Sequence, residues 1–541
     1  MKKSLLGRCL LLALGCVLAL SGMAGCGKKK VPDTEDTLEI YVQNLGYGTK
    51  WLDDEIALFK EQDWVKTKYP NLNIPKPASN AEYAYAAGQI LAGAKANTAD
   101  LLFTSANYND VIGKTDKSGN RYIADLNDVF EGKVPGEEIL YKDKMFAAHE
   151  QTSKYDGKYW STMWSCMYQG FMYNIEQFEA LHLTVPNTTD ELLALCNSVK
   201  SGEGYTSKLN TSRKLNYTVM FSTERSEANY WQYVAFPVWW AQYEGLENYE
   251  NYYKGIDVVN GVVNSKDVLS QTGRKEAMSV IKALLHDYGY EAPSTLTFVD
   301  AQRAFLRGEG LIMVNGDWIY EEMRTAIGDY KKENILARIG FMKNPVISSI
   351  INVLPKHSVA NDAELSALIK AIDAGNTALS GEGYEVQQED YDRVKEARNY
   401  VSTEYLNQAY VPAYATAKDL AKDFLRFLAT DLALNQYMRS TGGAALPFTY
   451  DVQTKDAALY EAFDDIQKYR NEIFMSDPAF MPSTRNEKFP LSYLGGLTAV
   501  PDGAMDSELA GNTSAEDFFQ KQIKFYSGSN WDTVLRNAAQ K

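Results

Sequence analysis

The sequence predicts an α/β protein of two lobes, and three observations predict it. The chain has 541 residues, its N-terminal part alternates strand-like with helix-like segments, and residues 298–318 read as helix, turn, strand and then an aromatic. A single core stops growing at roughly 250–300 residues, so a chain of this length divides. Leu38-Glu39-Ile40-Tyr41-Val42 reads as a short strand. The loop Gln43 to Gly48 follows, then apolar residues at helical spacing from Trp51 to Phe59. Ala81 to Ala94 reads as a second helix, Asp100 to Thr104 as a buried strand and Ser105 to Asp110 as the loop after it. Such alternation packs helices against open sheets. In open sheets ligands bind outside the carboxyl ends of strands, which makes Asn44, Tyr47, Ser105 and Asn107 candidate binding residues.

The N-terminus has a different character. Lys2, Lys3 and Arg8 precede the apolar run Leu10 to Leu20, the layout of an export signal. Ser21-Gly22-Met23-Ala24-Gly25-Cys26 resembles a bacterial lipobox, departing from it at Met23, where leucine is commoner. The resemblance implies that residues 1–25 are cleaved and that Cys26 carries lipid, palmitate included. It also implies anchorage on the outer face of the cell membrane, the periplasmic side if an outer membrane is present. Residues 26–36 are polar and lack apolar periodicity, as a flexible tether does. No later stretch is apolar enough to cross a bilayer.

Composition excludes several classes. The formal net charge is −15, and −18 once Lys2, Lys3 and Arg8 leave with the signal, which argues against nucleic acid as a partner. Cys166 and Cys196, the cysteines left after the signal and the lipidated Cys26, lie far apart and predict no disulfide framework. His149, His182, His286 and His357 are isolated, so neither a metal nor a cofactor is expected. There is no Gly-x-Ser-x-Gly elbow, and no carboxylate pair stands out among 70 acidic residues, so no catalytic residue is assigned.

Further along, Thr188 or Thr189 caps a helix to Val199. Residues 200–216 and 245–274 are polar and turn-rich. The repeated Ser-Gly-Glu-Gly-Tyr at 201–205 and 380–384 is loop chemistry rather than a repeat architecture. Residues 361–409 read as an appended helical element, and Ala417 to Met438 as one-sided helix before Gly442-Gly443.

The most informative stretch is Phe298 to Trp318. Phe298, Ala301, Phe305 and Leu306 keep helical spacing until Gly308, then Leu311-Ile312-Met313-Val314 forms a buried strand that breaks at Gly316-Asp317-Trp318. Ala304-Phe305-Leu306-Arg307-Gly308-Glu309 and Gly316-Asp317-Trp318 resemble the extracellular solute-binding proteins of sugar ABC transporters, the maltose-binding-protein-like family 1, in lipoprotein form. Ala99 to Leu102, Asp156 to Tyr159, Tyr173-Asn174, Val185 to Leu192 and Ala421 to Leu425 follow in the family's order. The resemblance covers most of residues 38–200 and 296–450. It implies the type II periplasmic-binding-protein-like fold, with discontinuous lobes joined by a hinge and chain crossings near 157–163, 340–346 and 442–447. Lobe 1 is then 37–156 plus 347–441, carrying the helical insertion at about 361–409, and lobe 2 is 157–346 plus 442–541.

A sugar ring has an apolar face and a rim of hydroxyls, so its receptor needs flat aromatic rings and planar polar side chains. Aromatic residues make up 12% of the chain. The resemblance assigns stacking to Trp318 and places Trp231 where the second lobe presents cleft residues; beside Trp318 the Asp317 carboxylate can accept from hydroxyls or cap a helix. Trp240 among the bunched aromatics, Trp164 after the first expected crossing and Tyr493 after Pro490 are further candidate ligand residues. It implies a monomer that captures a carbohydrate, an oligosaccharide foremost, by hinge closure and delivers it to ABC permease subunits without catalysis. Rival readings are the same fold holding a peptide or other solute, a ligand-sensing lipoprotein, and a secreted glycosidase.

Overall fold

The computed structural model describes residues 34–81, 85–95, 97–105, 111–208, 212, 214–220, 231–257, 262–263, 265–290, 296–377, 380–381, 384–403, 407–481, 499–500, 503–528 and 530–532. Two mixed sheets organise them. In the first, strands Ala78–Asn80, Ile40–Gln43 and Leu101–Thr104 run parallel, and Gln408–Tyr410 and Thr162–Met163 complete the order. Ile40–Gln43 and Leu101–Thr104 are buried throughout, which suits central parallel strands covered on both faces. Helix Lys50–Glu61 covers one face with Trp51, Leu52, Ile56 and Phe59.

The second sheet is built around Tyr168–Asn174. It pairs antiparallel with Ile312–Gly316, Ile339–Met342 and Tyr400–Thr403, while Val219–Met220 and Ala479–Phe480 form the edges. The strand's alternation separates two cores: Phe171 and Tyr173 face a helical layer that contains Trp239, Leu284 and Leu368, while Tyr168 and Met172 face the side shared with Phe305, Phe341 and Trp318. Helix Phe298–Leu306 starts in a capping box, in which Thr297 and Asp300 satisfy each other's backbone amides. Arg307 and the left-handed Gly308 end it.

The molecule is therefore two-lobed α/β, with the chain passing between sheets, but the crossings differ from the sequence-based expectation. The first runs through Trp164 to Met167, just beyond 157–163, since Met163 still pairs with Gln408 in the first sheet. None occurs near 340–346. Ile339–Met342 pairs with Tyr168–Asn174 in the second sheet, Val346 bridges Thr188, and the carbonyl of Pro345 accepts from the indole of Trp239. The described residues of 347–403, expected in lobe 1, pack in the second lobe instead, with Ile350, Leu354, Leu365, Ile369, Val394 and Tyr400 in its core. The return to the first sheet lies between Thr403 and Gln408. After Gly442-Gly443 the chain stays against the first lobe, where Phe146 and Thr449 make backbone bonds to Pro447 and Lys144. It joins the second lobe with helix Asp465–Met475, which packs on Ile339–Met342. Gly and Pro mark turns as readily within a lobe as between lobes, and the resemblance was too distant to tell them apart.

Among the described residues no helix is long and apolar enough to cross a membrane. Cys166 and Cys196 are buried free thiols. The expected leader, Cys26 and the expected tether up to Asp33 lie outside the described residues.

Candidate functional site

The carboxyl ends of strands from both sheets meet. Strand Ile40–Gln43 delivers Asn44 to Gly48, and strand Ile312–Gly316 delivers Asp317 and Trp318. Asp317 lies at the centre. Its carboxylate accepts from the phenol of Tyr47 across the junction, from the backbone N–H of Ala445 at 3.0 Å and from Nη1 of Arg470 at 3.2 Å. Its own amide donates to the carbonyl of Tyr168 at 2.9 Å, fixing it to the second sheet. The Arg470 and Asp317 side chains are only 4% and 2% exposed, so this is an ion pair in a poorly screened interior.

Burial pushes the Asp317 carboxyl above the usual carboxylate range, and the Arg470 guanidinium opposes that shift. Burial and the adjoining carboxylate together raise the Tyr47 phenol, which keeps it a hydrogen donor at neutral pH.

Trp318 packs beside this group. A Cβ on Gly46 would lie 3.0 Å from the Trp318 Cβ, so the first lobe's loop approaches the indole closely because it has no side chain there. A Cβ on Gly316 would fall 2.0 Å from the same ring, so the indole folds back over its own strand end. The Gly-x-Trp spacing is thus a steric requirement in this chain.

Of the sequence-predicted residues, the structure brings Tyr47, Asp317 and Trp318 together. Asn44 is exposed at the same strand end, its amide donating to Asn80. Ser105 is buried and bound through its hydroxyl and amide to Gln43 Oε1 at 2.8 Å, which ties two strand ends together. Trp164 is stacked on Trp51, with centroids 4.8 Å apart and planes at 15°, and so belongs to the first lobe's interior at the hinge.

Two assignments are corrected by their surroundings. Trp231 is buried against Phe171 and donates to the carbonyl of Met220. Trp240 is enclosed by Tyr249, Tyr252, Tyr253 and Arg274 and donates to Gln271. Both indoles fill the second lobe's core, where dense packing against other rings leaves no face for a ligand. Asn107 and Tyr493 lie outside the described residues.

Sequence reasoning missed Gly46, Ala445 and Arg470. Gly46 sits in a Gly-Tyr-Gly loop that could have flagged it, whereas Arg470 is one cation in an ordinary helix and carries no signal. Among the described residues no group of three or more His, Cys, Asp or Glu could hold a metal. What the junction offers is an acceptor, three donors and an indole shared between two lobes.

A family model described as bacterial extracellular solute-binding protein matches residues 77–465. No curated protein matches the sequence. Among solved structures, a chitin oligosaccharide binding protein is similar at TM-score 0.56 and 14% identity, over 93% of this chain and 100% of that one. RafE in complex with raffinose gives TM-score 0.53 and 13% identity, over 92% and 99%. The GacH receptor of Streptomyces glaucescens, solved unliganded and with acarbose, gives 0.52 and 14%, also over 92% and 99%. At such identities these structures speak to the fold.

Proposed function

The chain belongs to the bacterial extracellular solute-binding proteins, and from that premise we propose that it is the receptor subunit of an ABC importer that captures a carbohydrate between its lobes. The observation that carries the proposal is the convergence of Tyr47 from one lobe with Asp317, Arg470 and Trp318 from the other. A solute held there touches both lobes, so it binds the closed form more tightly than the open one, and that difference drives closure. The carboxylate and phenol suit hydroxyl groups, and the indole suits the C–H face of a sugar ring. Neighbours in fold that bind raffinose, acarbose and chitin oligosaccharide support a sugar over other solutes. The reading includes no catalysis, a lipid on Cys26 that holds the receptor at the outer face of the cell membrane, and transfer of the solute to a permease. Asn44, Ser105, Asn107, Trp164 and Tyr493 remain candidate cleft or hinge residues under it.

Calorimetric titration of the purified mature chain with raffinose, maltodextrins and chitin oligosaccharides tests the central claim, with product analysis of each mixture. Saturable binding with unaltered sugar is the expected result. Sugar cleavage, or stabilisation by peptides alone, would overturn it. For the anchor, radiolabelled palmitate should enter the wild-type chain and not Cys26→Ala.

A further inference from the structure

The first lobe contains a cavity to which none of the junction residues contributes. Trp51, Glu55, Thr162, Trp164 and Tyr437 line it, with leucines and Phe448 around them. Helix Lys50–Glu61 buries Trp51, Leu52, Glu55, Ile56 and Phe59 along one stripe, so Glu55 puts a carboxyl in the middle of an apolar face. The residue is fully buried. Neither carboxyl oxygen has a hydrogen-bond partner from the protein, and neither do the indole N–H groups of Trp51 and Trp164. The Tyr437 hydroxyl, which also lines the cavity, is unpartnered too, so five buried polar atoms around one cavity depart from the rule that such atoms are paired.

Chemistry restricts what can satisfy the carboxyl and the two indoles together, since the Tyr437 hydroxyl can either donate or accept. A cation would meet two indole N–H donors that repel it. An anion would meet the Glu55 carboxyl, the cavity's one acidic group. A neutral hydroxyl accepts from the indoles and donates to the carboxyl, and its second role needs no charge on either side. The space suits a water-sized guest rather than a sugar ring.

We propose that this cavity is a dedicated site for a neutral hydroxyl guest, water in aqueous solution, that joins Glu55 to the indoles of Trp51 and Trp164. Its position gives it a role. Trp164 opens the first chain crossing, and its amide donates to the carbonyl of Asn407 beside the second at 3.1 Å. The guest therefore fastens the hinge end of the crossing to the first lobe's helix.

The test uses the full mature chain labelled with 15N-tryptophan, its indole signals assigned through Trp51→Phe and Trp164→Phe. Cross-relaxation from long-lived water should reach both indole N–H groups in the wild type and in Glu55→Gln, which keeps an acceptor and a donor. In Glu55→Leu both signals should lose it. Absence of water cross-relaxation in the wild type, or its persistence in folded Glu55→Leu, would overturn the proposal. If Glu55→Leu does not fold, a high-resolution crystal structure of the wild type decides. Ordered oxygen within hydrogen-bond distance of Glu55 and of an indole nitrogen supports the site, and direct contact between these side chains or an unfilled cavity sinks it.

Discussion

Tyr47 and Asp317 join the two lobes through one buried hydrogen bond, in which the phenol donates and the carboxylate accepts. The two residues follow the ends of strands in different sheets, so the bond exists only when those ends are together. Arg470 holds the carboxylate ready for it, and the amide of Ala445, from the segment against the first lobe, makes a further bond to the same carboxylate.

Removing the phenol hydroxyl should shift the molecule toward the open form. A hydrogen bond to a charged group contributes about 1.5–3 kcal/mol, so Tyr47→Phe should weaken solute binding by roughly tenfold or more. Its unfolding midpoint should move little if the loop keeps its packing. Small-angle scattering should show a larger radius of gyration, and an unchanged radius with unchanged affinity would assign Tyr47 to packing alone.

Trp318 depends on two glycines. In Gly316→Ala the new methyl occupies the space of the indole ring, and forced overpacking costs about 1–3 kcal/mol. The variant should lose stability in urea denaturation and shift its tryptophan emission. Gly46→Ala makes a milder contact, 3.0 Å from the Trp318 Cβ against 2.0 Å from the ring for Gly316, so it should lose less stability than Gly316→Ala while losing affinity, as separate calorimetric and denaturation measurements would reveal.

The Glu55 carboxyl is pushed well above its ordinary range by burial, with Asp54 adding to the effect. The folded state therefore holds this proton to higher pH than the unfolded chain does. The associated stability is complete below the unfolded value near 4.5 and is lost as pH rises toward the folded one. Glu55→Gln should accordingly be more stable than the wild type at neutral and alkaline pH, with the difference vanishing near pH 4. Thermal melts across that range decide it, and a Glu55→Gln curve parallel to the wild type would refute it.

His149 has the opposite dependence. Burial pushes its pKa from 6.5 down to about 3, so the unfolded chain takes up a proton that the folded one refuses. Stability should fall as pH drops from about 6.5 to about 3, by up to a few kcal/mol. His149→Leu should flatten that acid limb in denaturant titrations, and an unaltered limb would show that other groups cause it.

Much of this architecture is legible in local pattern. The strands at 40–43, 101–104 and 312–316 are short apolar runs bounded by polar loops, and the helix before Gly308 has apolar spacing and a capping pair. The edge strands at 162–163 and 479–480 are too short to leave a pattern. Lobe membership of 347–403 was illegible for a related reason, since it depends on which sheet accepts Tyr400–Thr403 and not on anything within that segment. At the candidate site, Tyr47, Asp317 and Trp318 were readable because strand ends and the Gly-x-Trp spacing mark them. Trp231 and Trp240 misled because an indole that stacks on sugar and one that fills a core have the same composition signal.

Thr104 pairs with Gln408, and Gln408 pairs in turn with Met163. The first sheet's interior strand is thus supplied from far downstream, after most of the second lobe's sheet has been written. A nascent chain can align Ile40–Gln43 with Leu101–Thr104 early, yet it cannot finish that sheet until residue 410 is free to pair. Such long-range closure slows folding, and it leaves an unpaired edge on Leu101–Thr104 in every shorter fragment. Truncations that end before Gln408 should therefore associate through that edge, and the last quarter or so of the chain acts as the step that commits the whole molecule.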